Sequence, residues 1–132
     1  MIQTRKMYPP NYPEIVKAFP FIKGRHNIVF AWSGIIYNPS GHPLDPDVIA
    51  HEETHFWQQR RDPEGWWAEY IANPRKRLEW EIEAYRRQIT YAKEHYSSKR
   101  TAALADRCIK SLSSPMYGNL CTKDEARVWL LA

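Results

Sequence analysis

Two histidines one helical turn apart, His51 and His55, with Glu52 between them, constrain this 132-residue chain more than any other feature. In His51-Glu52-Glu53-Thr54-His55 the imidazoles converge if the segment is an α-helix, because at 3.6 residues per turn they lie about 40° apart on one face. Glu52 falls on the same side and Glu53 points away. The flanks specify the helix independently. Asp45-Pro46-Asp47 reads as an N-cap, a proline at the first helical position and an acid in the first turn. Val48, Ile49, Phe56 and Trp57 follow, which predicts a helix over about 46–60.

Imidazoles in this spacing hold a divalent metal, and the carboxylate beside them, which is not itself a ligand, is placed to take a proton from metal-bound water. A metal lowers the pKa of that water to around 7, which makes hydroxide available at neutral pH.

The segments around this helix read as mixed structure. Ile28–Trp32 and Ile35–Tyr37 are β-prone and separated by Ser33-Gly34, which predicts two antiparallel strands. Residues 38–43 then break the sheet and deliver the chain to Asp45, so that an edge strand leads into the histidine-bearing helix. Upstream, Pro9, Pro10, Pro13 and Pro20 interrupt the aromatic residues Tyr8, Tyr12, Phe19 and Phe21. Residues 1–24 therefore read as an N-terminal wrapping arm with one short helix from Pro13 to Phe19. Downstream, a break at Asp62-Pro63-Glu64-Gly65 precedes a short helix over Trp66–Ile71 that ends near Asn73-Pro74, its paired tryptophans packing in the core.

The longest predicted helix covers residues 75–96, with a core-facing stripe of Leu78, Ile82, Tyr85 and Ile89. Residues 100–132 form a helical tail. One helix runs near 100–112 and another follows Thr122, whose Thr-Lys-Asp-Glu string is a capping box.

With 43% hydrophobic and 14% aromatic residues, the chain has apolar mass enough for a core and reads as a single domain over residues 1–132. No apolar run reaches the ~18 residues of a membrane span, and no secretory leader is evident, so the expectation is a soluble, cytoplasmic protein. Cys108 and Cys121 are too few for a disulfide framework, lack the close CxxC spacing of a structural zinc site and read as free thiols. The net charge of +4 is scattered over pairs such as Arg60-Arg61 and Arg86-Arg87 that solvate helix faces. Charge alone supports a basic nucleic-acid-binding module, and no nucleic-acid motif accompanies it.

A catalytic zinc takes three protein ligands, and Glu79, Glu81 and Glu83 compete for the third position. On a helical wheel Glu81 lies about 70° from the centre of the apolar stripe, Glu79 about 90° and Glu83 about 130°. Glu81 is nearest the buried face by a small margin, and all three stay open on this argument.

His51-Glu-Glu-Thr-His55 followed by Glu81-Ile-Glu-Ala-Tyr85 resembles the HExxH-plus-ExxA arrangement of gluzincin-type zinc metallopeptidases, small phage and prophage metallopeptidases in particular, over roughly residues 27 to 92. The resemblance implies an α+β fold, a mainly helical minimal zincin with a small antiparallel sheet before the HExxH helix. It also implies Zn²⁺ held by His51, His55 and Glu81, with Glu52 as the base that activates water against a peptide or protein substrate. Glu81, Ala84 and Tyr85 match the second-helix positions.

One departure stands out: many gluzincins carry Asp or Asn four residues after the ligand glutamate to bond a zinc histidine, and this chain has Tyr85. Gln58, Gln59, Arg60 and Arg61 occupy the region where a metzincin would continue toward its third histidine. His26, His42 and His95 lie near turns and helix ends and read as surface groups. The rival from another class is a zinc-stabilised structural or interaction protein that cleaves nothing. No specific nucleic acid is expected as partner, and the oligomeric state is open.

Overall fold

The computed structural model describes residues 2–131. Prolines divide its long helices: α2 (Pro46–Gln59), α3 (Pro63–Ala72) and α4 (Pro74–His95) each begin with proline at the first turn, where its missing N–H costs nothing. Caps complete the division. Asp62 accepts from the Gly65 amide at 2.9 Å, Asn73 from those of Arg75 and Lys76, and Ser97 from that of Arg100 at the start of α5 (Ser98–Leu112). Before α6 (Lys123–Leu131), Thr122 and Glu125 bond each other's amides at 3.0 and 3.1 Å, the reciprocal capping box that the sequence announces. Asp45 departs from expectation. It occupies the N-cap of α2 but makes no capping bond, its carboxylate lying 3.8 Å from Arg100 instead.

The fold is mainly helical α+β. Strands β2 (Phe30–Trp32) and β3 (Ile35–Tyr37) form the expected antiparallel hairpin. Ser33 and Gly34 both have positive φ, 48° and 81°, the two-residue turn whose twist matches that of the strands. The sheet has a third strand, β1 (Gln3–Arg5), which lies parallel to β3 with Gln3 opposite Ile35. The sheet is therefore mixed, with order β1-β3-β2. The strand preceding α2 is thus central rather than an edge, and β1 and β2 are the edges.

The arm continues as α1 (Tyr12–Ala18) and a 3-10 turn over Pro20–Ile22, which bury Ile15 and Ile22 against Phe30, Tyr37, Trp66, Trp67 and Tyr70. A second core joins Tyr85 and Ile89 of α4 to Leu104, Cys108, Ile109 and Leu112 of α5 and to Ala126 and Leu130 of α6. Each fully buried Ile or Leu there contributes about 1.5–3 kcal/mol. Helix α4 thus has two buried faces. One carries Tyr85 and Ile89 into the second core; the other carries Glu81, Ala84 and Gln88 toward α2, its most extensive neighbour. No helix among the described residues is long and apolar enough to cross a membrane.

Candidate metal centre

Where α2 and α4 cross, His51, His55 and Glu81 converge, all buried, with one ligand atom of each within 4.8 Å of the others. The Nε2 atoms of His51 and His55 are 3.2 Å apart. Glu81 Oε1 lies 3.2 Å from the first and 3.4 Å from the second. A tetrahedral zinc with bonds near 2.05 Å separates its ligand atoms by about 3.3 Å. The three spacings match that geometry.

The proton positions on the imidazoles follow from the amides that hold them. Gln88 Nε2 donates to Asp47 Oδ2 at 2.8 Å, so Gln88 Oε1 faces His51 Nδ1 at 3.0 Å and Nδ1 carries the hydrogen. Gln58 Nε2 donates to the Trp80 carbonyl and to Glu83, so its Oε1 faces His55 Nδ1 at 2.8 Å and accepts in the same way. With both Nδ1 atoms protonated, the neutral rings turn two Nε2 lone pairs toward a carboxylate oxygen. Three acceptors within 3.4 Å repel one another unless a cation sits among them. Consistent with this, buried Glu81 Oε1 has no hydrogen-bond partner among the described residues. Two neutral imidazoles and a carboxylate are the donor set of a zinc site with an open fourth position, so the residues fit the ion.

The two glutamates have opposite electrostatics. Burial alone would raise the pKa of Glu81, but the His55 and His51 imidazoles beside it hold it well below the usual carboxylate range. Its other oxygen accepts from the Tyr70 phenol at 2.6 Å, whose own pKa burial and Glu81 push up. Glu52, with Oε2 3.7 Å from His51 Nε2, is pushed up by burial; His51 and His55 oppose the shift and Glu81 adds to it. One carboxylate thus stays ionised, as a ligand must, while its neighbour is biased toward holding a proton. Burial works against a charged His55, yet Glu81 holds its pKa up to about 9 without a metal. Protons and metal therefore compete for the cluster.

The rival third ligands are elsewhere. Glu79 is exposed, 3.7 Å from both Arg75 and Lys76, and exposed Glu83 bonds Gln58. Tyr85 does not hydrogen-bond a histidine: its ring packs edge-on to His51 at 4.5 Å and its hydroxyl meets that of Tyr117 at 2.6 Å. His42 is exposed, His26 faces the Tyr8 hydroxyl, and His95 bonds the Tyr91 carbonyl, so none joins the cluster. The supports that sequence reasoning missed are Gln58, Tyr70, Gln88 and Asp47. Two of these carried a signal, since Gln88 is seven residues from Glu81 on one helix face and Gln58 is three from His55.

Two spaces meet at the site. A cavity of about 70 Å³ extends under the arm between Ile15, Phe19, Ile22, Trp66 and Trp67, lined also by His51, Glu52, His55 and Glu81. On the other side a groove of about 500 Å³ passes His51 and Glu52 toward Asp45 and α5. Ile28, Val29, Met116 and Tyr117 border both. In the middle of β2, the Ala31 carbonyl accepts from Gln59 Nε2 and Trp67 Nε1, both at 2.9 Å, which pins the strand against α2 and α3.

No family model matches this chain, and no curated protein or solved structure does. The geometry alone carries the functional argument.

Proposed function

We propose that this protein is a zinc-dependent metallopeptidase in which His51, His55 and Glu81 hold Zn²⁺ and Glu52 is the catalytic base. The reading is carried by the convergence of two lone-pair-bearing Nε2 atoms and an orphaned carboxylate oxygen at tetrahedral spacing, with a second buried carboxylate beside them that no ligand role uses. Held by these three residues, zinc would supply Lewis acidity and lower the pKa of a coordinated water. Glu52, a buried carboxylate whose pKa burial raises, would be placed to take a proton from water and to return it to a leaving amine. Gln88 and Gln58 keep the imidazole rings oriented and their Nε2 atoms free. Tyr70 holds Glu81. The Tyr85 and Tyr117 hydroxyls bond each other at 2.6 Å, and both residues line the groove beside the site.

The test is zinc content followed by turnover of a mixed-sequence peptide library read by mass spectrometry. Wild type should hold about one zinc per chain and cleave. Glu52→Gln should keep the zinc and lose activity by at least 10²-fold. Absence of zinc after loading at neutral pH overturns the metal centre. Stoichiometric zinc with no cleavage in wild type favours the metal-stabilised binding protein instead.

A further inference from the structure

We propose that Arg107 binds a carboxylate of the substrate beside the metal centre. The inference rests on the reading of that centre as a catalytic zinc site. The groove of about 500 Å³ runs from Asp45, past His51 and Glu52, to the face of α5 that carries Arg107. Its acids outside the catalytic centre already have partners. Asp45 faces Arg100 at 3.8 Å, and buried Asp47 accepts from Gln88 and from the Tyr96 hydroxyl. Arg107 is the one lysine or arginine lining the groove. It is exposed and makes no ion pair or side-chain hydrogen bond among the described residues, whereas Arg75, Arg100 and Arg127 each lie against a carboxylate.

A guanidinium presents a planar fork of donors that matches a carboxylate in bidentate fashion. Charge also fixes orientation. Away from the metal, Arg107 is the one cationic side chain along the groove, so a substrate carboxylate that the metal ion does not hold pairs there. The substrate class is therefore a peptide with a carboxylate close to the bond that is cut, either its own C-terminus or an acidic side chain.

Three hydroxamate probes distinguish these sources without requiring turnover: malonyl-hydroxamate of Leu-Gly with a free C-terminus, the same compound as C-terminal amide, and malonyl-hydroxamate of Leu-Asp as α-amide with a free side chain. All share the metal-binding head. Titrated calorimetrically into zinc-loaded protein, at least one charged probe should bind about tenfold or more tighter than the neutral one, and the winner identifies the source. Arg107→Met should erase the advantage while leaving the neutral probe within about twofold, and Arg107→Lys should retain part of it. Equal affinities in wild type, or an advantage that survives Arg107→Met, overturn the role of Arg107 and leave the metal centre standing. Failure of all three to bind stoichiometrically zinc-loaded protein overturns the open catalytic site, and the Arg107 subsite with it.

Discussion

The hydrogen-bond relay Asp47–Gln88–His51 can be reversed by two substitutions, and the reversal tests whether it sets the proton on His51. In the native order His51 Nδ1–H donates to Gln88 Oε1 and Gln88 Nε2 donates to Asp47 Oδ2, whose other oxygen accepts from the Tyr96 hydroxyl. Gln88→Glu alone puts two carboxylates where an N–H···O bond of 2.8 Å stood. At an effective dielectric of about 20, unit charges 4 Å apart repel by about 4 kcal/mol, an upper bound because one carboxyl can take a proton instead. A loss of about 2–4 kcal/mol in urea unfolding at pH 8 is expected, with zinc affinity lowered about 10–100-fold. Adding Asp47→Asn should restore both. The amide at position 47 then donates to the carboxylate at 88, which accepts from His51 Nδ1–H as before, and the amide oxygen still accepts from Tyr96. Each group is satisfied and the tautomer is unchanged. The double variant should recover to within about 1 kcal/mol of wild type, a coupling of about 1–3 kcal/mol between neighbouring positions. Competition against a chromophoric chelator reads the zinc affinity. A double variant as impaired as Gln88→Glu alone refutes the relay.

Two further outcomes follow from the same geometry. Because Glu81 holds the pKa of His55 up to about 9, above its ordinary 6.5, their ion pair contributes fully to metal-free stability below about pH 6.5 and is lost as pH rises through about 9. Chelator-treated protein should thus lose on the order of 3 kcal/mol of unfolding free energy between these pH values, while zinc-loaded protein, with neutral imidazoles at both, should not; a metal-free stability that is flat or rises contradicts the coupling. Ala84, fully buried on the α4 face between Glu81 and Gln88, keeps the two helices close, so Ala84→Leu should cost about 1–3 kcal/mol in thermal unfolding and weaken zinc binding; unchanged zinc affinity would show that the helix spacing is not critical.

How much of this was legible in the sequence depended on how local each feature is. The histidine pair, the Pro46 start and the Thr122–Glu125 box are fixed by neighbours within one turn, and the structure has them where the spacing put them, whereas the helices read from Trp66 and Arg75 begin earlier, at Pro63 and Pro74. The wheel put Glu81 nearest the buried face by a small margin and left its rivals open; Glu81 is buried in the structure, and the lysine and arginine that draw Glu79 outward explain why that residue stays exposed. β1 was invisible because Gln3-Thr4-Arg5 is polar and exposed and becomes a strand only by pairing with β3, some thirty residues away in sequence. Asp47 read as a helix-start acid, and nothing within its own helix reveals that Gln88 and Tyr96, on distant segments, need it as an acceptor. Tyr70 was hidden for the same reason, since its role exists only where α3 packs on α4.

The burial of the cluster is itself informative. His51, Glu52, His55 and Glu81 are each 3–6% exposed, and taking such groups out of water costs several kcal/mol per ion unless partners compensate. The second core of α4, α5 and α6 could have been sealed against α2 with apolar residues at these positions, which would be neutral or stabilising for folding alone. A metal that binds the folded chain offsets the cost by mass action, and more strongly as its concentration exceeds its dissociation constant. That accounts for His51, His55 and Glu81. It leaves Glu52 unexplained, because a fourth buried group that ligates nothing adds desolvation and repels Glu81 without strengthening the site. A structural metal site would be better without it. A buried carboxylate beside the ligands is what the proposed role of Glu52 as a base requires, and its burial supports that reading over a purely structural metal site.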